Sequence, residues 1–399
     1  MTNMEYEFSN RMKGLKGSAI REIFKVAGDP SYISLAGGNP APELFPAQEL
    51  AEIAADVLAH EPVTALQYGV TEGYGPLRDA VRARLQRDGI GSPDDEVLIV
   101  SGGQQGIDLT AKNLVNEGDV VFVEEPSFIG ALNAFRSFGA KLVGVAMDDA
   151  GMQPDALERA IAANPGGKVI YTIPTFQNPM GVTMPAARRR EVYEIARRHH
   201  LIIIEDNPYG ELTFDGVKTA PIKTLDTDGR VVYCGSFSKI LAPGLRLGFV
   251  CANRALVQKL VVAKQVEDVH TPMLTQLLAT EYMKRYDLDA LIVRMRALYR
   301  QKCGTMLRAM DEFFPADAHW TRPNGGLFIW CDLGHGIDTA KLAPVCLARK
   351  VVFVPGSTFM TDMDAPCSGL RLNYSTMTDE RITEGIRILG EEFSAALRR

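Results

Sequence analysis

Between about Phe45 and Tyr282, short apolar runs alternate with amphipathic stretches. The clearest runs are Glu96–Val100 (EVLIV), Asp119–Val123 (DVVFV), Lys141–Val145 (KLVGV), Lys168–Ile173 (KVIYTI), Leu201–Ile204 (LIII), Arg230–Tyr233 (RVVY) and Leu247–Cys251 (LGFVC). Most are rich in β-branched residues and apolar at successive positions, the pattern of strands covered on both faces. Between them lie stretches with helical spacing, such as Pro185–His200 (PAARRREVYEIARRHH), with proline at the predicted start. Strand, helix and strand in succession predict an α/β fold: a doubly wound, mainly parallel sheet with helices on both faces.

The rest of the chain follows another pattern. Asp287–Phe314 predicts one long helix. After it come Gly326–Asp332 (GLFIWCD), a helical Asp338–Arg349, Val351–Val354, Leu370–Tyr374 and a last helix from Thr378. That is a smaller α+β lobe. Before Phe45 the only strand signal is Ile33–Ala36 (ISLA), followed by the turn-rich Gly37–Pro46. The expected organisation is a large domain over 45–285 and a small domain made of 1–44 with 286–399. The 399 residues agree with two lobes, being more than one hydrophobic core usually holds.

Composition narrows the function classes. Hydrophobic residues make up 46% and charged residues 23%, which excludes a disordered or collagen-like chain. Lys+Arg number 43 against 49 Asp+Glu, so nothing in the charge asks for a nucleic-acid partner. No apolar run reaches the ~18 residues of a membrane helix, and the opening MTNMEYEFS lacks the features of a secretory signal. Six cysteines form no CxxC pair and read as buried free thiols of a cytoplasmic protein. His199-His200 has no third ligand nearby, so no metal site is expected. Arg188-Arg189-Arg190 with Arg197-Arg198 reads as a solvated basic helix surface, and Trp320 and Trp330 as packing in the small lobe. Cys331 and His335 read as core thiol and loop.

In doubly wound sheets, ligands sit beyond the carboxyl ends of the strands. Five sets of polar residues follow the apolar runs or interrupt them. Glu96–Val100 leads to Ser101-Gly102-Gly103-Gln104-Gln105-Gly106 and a helix, which suits an anion at free N–H groups or is simply a tight turn. Lys168–Ile173 leads to Pro174-Thr175-Phe176-Gln177-Asn178-Pro179, where the Asn178 amide faces a ligand or only shapes an Asn-Pro turn. Leu201–Ile204 leads to Glu205-Asp206-Asn207-Pro208-Tyr209. A carboxylate there is costly to bury unless it meets a cation such as a protonated ring nitrogen; otherwise Asp206 caps a turn. Arg230–Tyr233 leads to Ser236-Phe237-Ser238-Lys239-Ile240-Leu241 and then Arg246. Apolar flanks can desolvate Lys239, lower its pKa and free its amine to form a Schiff base, against the plain alternative of a surface lysine. Ser236, Ser238 and Arg246 are donors suited to a phosphate. Finally Leu370-Arg371-Leu372-Asn373-Tyr374 puts a guanidinium inside a strand, to grip a carboxylate or to form an edge salt bridge.

Taken in order, SLAGGNP, LQYGVTEGYGPLR, SGGQQGIDL, EEPSF, PTFQNPMG, EDNPYGEL, GSFSKILAPGLRLG and LRLNYS resemble the class I/II aminotransferases of the aspartate aminotransferase fold (fold type I). The similarity is greatest to the 2-aminoadipate/kynurenine-type branch, and it covers nearly the whole chain. It implies a transaminase using pyridoxal 5′-phosphate (PLP) in a ping-pong cycle between an L-amino acid and a 2-oxo acid, with glutamate/2-oxoglutarate as one pair. It implies Lys239 as the Schiff-base lysine, Asp206 on the ring nitrogen, and Asn178 and Tyr209 on the phenolic oxygen. Gly103, Gln104, Ser236, Ser238 and Arg246 would hold the phosphate. Phe128 would stack on the ring where many relatives carry Tyr. Tyr68 would reach the cofactor of the neighbouring subunit, which implies a homodimer with shared sites. Arg371 would bind the α-carboxylate, with Asn178 and Gly38 beside the substrate. Arg21 matches an arginine that faces the substrate side chain in some relatives, or it sits on a solvated helix. In the first case a distal carboxylate is favoured; the N-terminal stretch also permits apolar or aromatic substrates. The alternatives are a PLP-dependent β-lyase on the same fold and a non-catalytic amino-acid sensor, the latter disfavoured because the fold begins too early for a preceding DNA-binding domain.

Overall fold

The structure, a computed structural model, describes residues 6–13, 15 and 29–398. Fourteen strands follow in chain order among them: β1 (Ile33–Ser34), β2 (Asp95–Val100), β3 (Val120–Glu125), β4 (Lys141–Asp148), β5 (Gly151–Met152), β6 (Val169–Thr172), β7 (Ile202–Asn207), β8 (Val231–Ser236), β9 (Gly248–Asn253), β10 (His319–Trp320), β11 (Phe328–Asp332), β12 (Val351–Val352), β13 (Val354–Pro355) and β14 (Gly369–Asn373). Eight of them form one sheet in the order β2-β9-β8-β7-β6-β3-β4-β5. Its centre, from β8 to β4, is parallel, and β9 and β5 pair antiparallel to their neighbours.

The unbroken apolar runs follow from burial on both faces. Val121, Val123, Tyr171, Ile204 and Val232 pack into the main core, while Phe122, Ile170, Ile203 and Val231 pack into a second cluster on the opposite face. Alternation along each strand makes this division, and each side chain so buried contributes about 1.5–3 kcal/mol.

The smaller sheet, in the order β10-β11-β14-β13, is antiparallel. Long helices Leu288–Phe313 and Asp379–Leu397 lie against this lobe. Their starts are set locally: the Asp287 side chain accepts from Asp289 N and Ala290 N, and Thr378 accepts from Arg381 N. They approach so closely that a Cβ on Gly390 would lie 2.2 Å from Phe313 O.

Three differences from the sequence reading have physical reasons. The Val351–Val354 run is split: β12 pairs with β1, and β13 joins the small sheet, so the N-terminal Ile33–Ser34 closes onto the C-terminal lobe. Arg189, expected on a solvated surface, is 1% exposed because backbone carbonyls take up its guanidinium. Of the six thiols, five are buried and Cys367 is half-buried.

Candidate active site

A cavity of about 390 Å³ opens at the carboxyl ends of the central strands, where the small lobe meets them. Gly38, Gly103, Gln104, Phe128, Asn178, Asp206, Tyr209, Ser236, Ser238, Lys239, Arg246 and Arg371 all line it. Two predicted residues do not join them. Tyr68 stands on the surface, 81% exposed, with its ring edge-on to His270 at 5.8 Å. Arg21 lies outside the described residues.

Lys239 reaches the cavity because its neighbours are anchored elsewhere. Phe237, Ile240 and Leu241 are buried, and Ile240 N and Leu241 N both donate to Phe237 O, closing a tight turn after β8. Lys239 Nζ donates to Gly38 O at 2.6 Å. Burial, with the charges of Arg371 and Arg246 adding to it, lowers its pKa to about 8. About a tenth of the amine is therefore uncharged at pH 7, far more than for an ordinary lysine, and able to act as a nucleophile.

Asp206 sits at the other side. It is the fifth residue of β7, on the face shared with Ile204. Its Oδ2 accepts from Tyr171 OH at 2.9 Å, and no cation pairs with it among the described residues. Burial raises its pKa to about 7. A buried carboxyl in that state is poised to accept a cationic hydrogen-bond donor.

An anion cradle lies between them. The helix Gly103–Leu114 starts at the cavity with Gly102 as its N-cap, so its first N–H groups and positive dipole end face the cleft. Gly102 has φ +86, and a Cβ there would lie 2.3 Å from Arg246 Nη2. The guanidinium can pack over this turn only because the position is glycine. Arg246 Nη2 donates to Ser101 O at 3.2 Å. Ser236 and Ser238 complete the rim, linked by Ser238 N donating to Ser236 Oγ.

Arg371 enters from β14 of the small lobe. Its Nη1 donates to Asn178 Oδ1 at 2.9 Å and its Nη2 to Ala36 O at 2.6 Å, while Nε is buried without a partner. The guanidinium lies over the Phe328 ring at 4.2 Å and near Phe359 at 5.0 Å. Tyr209 meets Phe328 edge-on at 5.7 Å and also contacts the Asn178 amide. A buried cation with free donors beside a cavity suits a carboxylate ligand.

The sequence reading missed Tyr171, Phe328 and Glu124. Tyr171 is hidden in an apolar run, and its hydroxyl meets Asp206 only through the β6–β7 register that pairs Tyr171 with Ile204. Phe328 lies within the apolar run Gly326–Asp332, where nothing in the sequence marks it out. The Glu-Glu-Pro-Ser-Phe motif carried a signal for Glu124, because two acids end an otherwise apolar strand.

Residues 30–389 match the family described as aminotransferase class I and II. Over 403 residues the chain is 40% identical to aromatic-amino-acid aminotransferase 1 of Thermococcus litoralis, spanning 99% of this chain and 96% of that protein. Its structure resembles the Pyrococcus horikoshii kynurenine aminotransferase solved in complex with PMP, with TM-score 0.94, 38% identity and 98% of each chain covered. It also resembles the alpha-aminoadipate aminotransferase of Thermus thermophilus complexed with N-(5'-phosphopyridoxyl)-L-leucine, with TM-score 0.91, 38% identity and 98% of each chain covered.

Proposed function

Because this chain belongs to the class I and II aminotransferase family, we propose a role for each residue of the cleft and a substrate range. The protein transfers an amino group between an amino acid and a 2-oxo acid, and PLP is its cofactor. The residues present fit that cofactor. A glycine-walled cradle suits its phosphate, an uncompensated buried carboxyl suits its ring nitrogen, and a lysine of lowered pKa suits its carbonyl carbon.

When bound, PLP supplies a carbonyl carbon that condenses with amines and a ring that takes up the electron pair left at the substrate Cα. Gly103 and Gln104 N–H, Ser236, Ser238 and Arg246 hold the phosphate. Phe128 covers one face of the ring. Asn178 and Tyr209 donate toward its phenolic oxygen. Asp206, ionised, keeps a proton on the ring nitrogen, since a buried anion favours the cationic form of its neighbour. Arg371 grips the α-carboxylate, with Gly38 and Asn178 alongside, and so turns the Cα–H toward Lys239. Lys239 Nζ then accepts the Cα proton, as its depressed pKa allows.

We take residues 45–285 as the cofactor-holding domain and 1–44 with 286–399 as the small domain; pairing of β1 with β12 supports this division. We also propose a cytoplasmic homodimer in which Tyr68 reaches the partner subunit's cofactor phosphate. In support, Val63, Leu66, Tyr68 and Val70 are all exposed within one short stretch, apolar surface of the kind that partners cover. Among the described residues no helix is long and apolar enough to cross a membrane.

Glutamate/2-oxoglutarate is proposed as one pair and an apolar or aromatic amino acid as the other. Ile107, Phe128, Ile129, Ile173 and Phe328 line the cavity, which favours an apolar side chain. A distal carboxylate would need Arg21 or polar groups such as Gln104. One observation carries the reading: Lys239, Asp206 and Arg371, from three distant stretches, meet around one cavity. The test is single turnover of the PLP-loaded protein with glutamate, phenylalanine and cysteine. Glutamate and phenylalanine should each yield their 2-oxo acid and leave aminated cofactor. Replacing Arg371 with Ala should raise the amino-acid concentration required about a hundredfold, the loss expected of about 3 kcal/mol from a buried charge pair. Sulfide, pyruvate and ammonia from cysteine, with glutamate inert, would instead establish a lyase.

A further inference from the structure

The wall carrying Asn178 is a loop between β6 and the helix Ala186–Arg198, and it is tied down from behind the sheet. Glu124, on β3, points to the same face as Phe122, away from the cavity. It is buried, and no cation pairs with it among the described residues. Its Oε1 accepts from Thr172 Oγ1 at 2.5 Å, and its Oε2 accepts from Ile173 N at 3.1 Å and Gln177 Nε2 at 3.0 Å. The same Gln177 Nε2 donates to Pro126 O at 2.9 Å, and Gln177 Oε1 accepts from Met180 N at 2.8 Å.

Gln177 immediately precedes Asn178, and Pro126 lies two residues before Phe128. The Glu124–Gln177 bridge therefore joins two segments that both contribute to the cavity wall. Burial with no counter-cation raises the Glu124 pKa, so the acid is costly to hold there in its ionised form. What the carboxylate adds is three acceptor contacts with fixed geometry. Among the described residues, Asn178 Oδ1 is one of only two acceptors holding the Arg371 fork, the other being Ala36 O. A shift of the loop by about 1 Å would release that donor and misalign the guanidinium.

We propose that Glu124 and Gln177 are positioning residues for amino-acid binding: they hold Asn178 against Arg371 without lining the cavity themselves. The proposal rests on the assignment of Arg371 to the α-carboxylate.

The experiment uses the PLP-loaded protein and single-turnover reaction with glutamate and phenylalanine. Glu124→Gln and Gln177→Leu should each raise the half-saturating amino-acid concentration about tenfold, with the limiting rate changed less than about threefold. The double variant should show about the same tenfold rise, since both changes break one bridge. Reaction with a primary amine that lacks a carboxylate should match wild type, and PLP affinity from an absorbance titration should stay within about threefold. Thr172→Val, which removes one of the three contacts and leaves the Glu124 side chain itself in place, should give a smaller rise in the same parameter and stands in for Glu124→Gln if that variant does not fold. Unchanged half-saturation overturns the proposal. So does a multiplicative, about hundredfold, effect in the double variant, or an equal loss with the carboxylate-free amine. An Arg371→Ala protein that binds amino acid normally sinks the parent assignment and this inference with it. If Arg371→Ala is strongly impaired while Glu124→Gln and Gln177→Leu are not, the inference alone fails.

Discussion

Replacing Asp206 with Asn should stabilise the cofactor-free protein at high pH while destroying its catalysis. The amide keeps an oxygen for the Tyr171 hydroxyl, which donates to Oδ2 at 2.9 Å in the native protein, so what is removed is the charge. Burial raises the Asp206 pKa from 3.8 to about 7. That rise of about three pH units, at about 1.4 kcal/mol each, amounts to about 4 kcal/mol of strain from the ionised carboxylate in the cofactor-free protein. The folded state binds this proton more tightly than the unfolded chain. Stability from this group is therefore full below about pH 4, declines as pH rises, and is lost above about pH 7. Asn carries no such dependence. The stability of Asp206→Asn relative to wild type should improve by about 3 kcal/mol between about pH 5 and about pH 8. Urea unfolding of both proteins, stripped of PLP and followed by circular dichroism at those two pH values, measures it. Turnover of the PLP-loaded variant should fall by about a thousandfold or more, because nothing then holds the ring-nitrogen proton. A stability gap that does not change with pH would show that the carboxyl is not the desolvated group described above.

Two further substitutions probe the cradle and the loop. Gly102→Ala forces a Cβ to within 2.3 Å of Arg246 Nη2 at a position with φ +86. The strain is about 1 kcal/mol or more and the guanidinium must move, so PLP affinity from an absorbance titration should drop about tenfold; unchanged affinity would remove Arg246 from the phosphate site. Arg189→Met keeps a long side chain but leaves Met184 O, Ala220 O and Thr175 Oγ1 without their guanidinium donor, so a loss of about 3–5 kcal/mol is expected in urea unfolding; a loss under about 1 kcal/mol would mean the buried guanidinium is not holding the loop ends.

The sequence by itself determined most of the elements, the face most of them bury and the residues at the ends of the central strands. Those follow from periodicity, because strands covered on both faces must be apolar throughout, and the first polar residue after such a run marks the sheet's edge. That placed Asp206, Asn178 and the Lys239 turn at one rim, and the glycines before a helix at the same rim. Only the tertiary structure decided what those residues meet. The Tyr171 hydroxyl on Asp206 depends on which strands are neighbours and in which register. The Arg371–Asn178 contact joins positions 193 residues apart and requires the small lobe to close over the large sheet. Arg189 shows the limit most directly: its local pattern is that of a solvated arginine run, yet carbonyls brought in by the Asn178 loop and by Ala220 take it out of water. Local spacing records which side of an element is wet or dry. Which partner awaits on the dry side is fixed by chain crossings, and those are written in no single stretch.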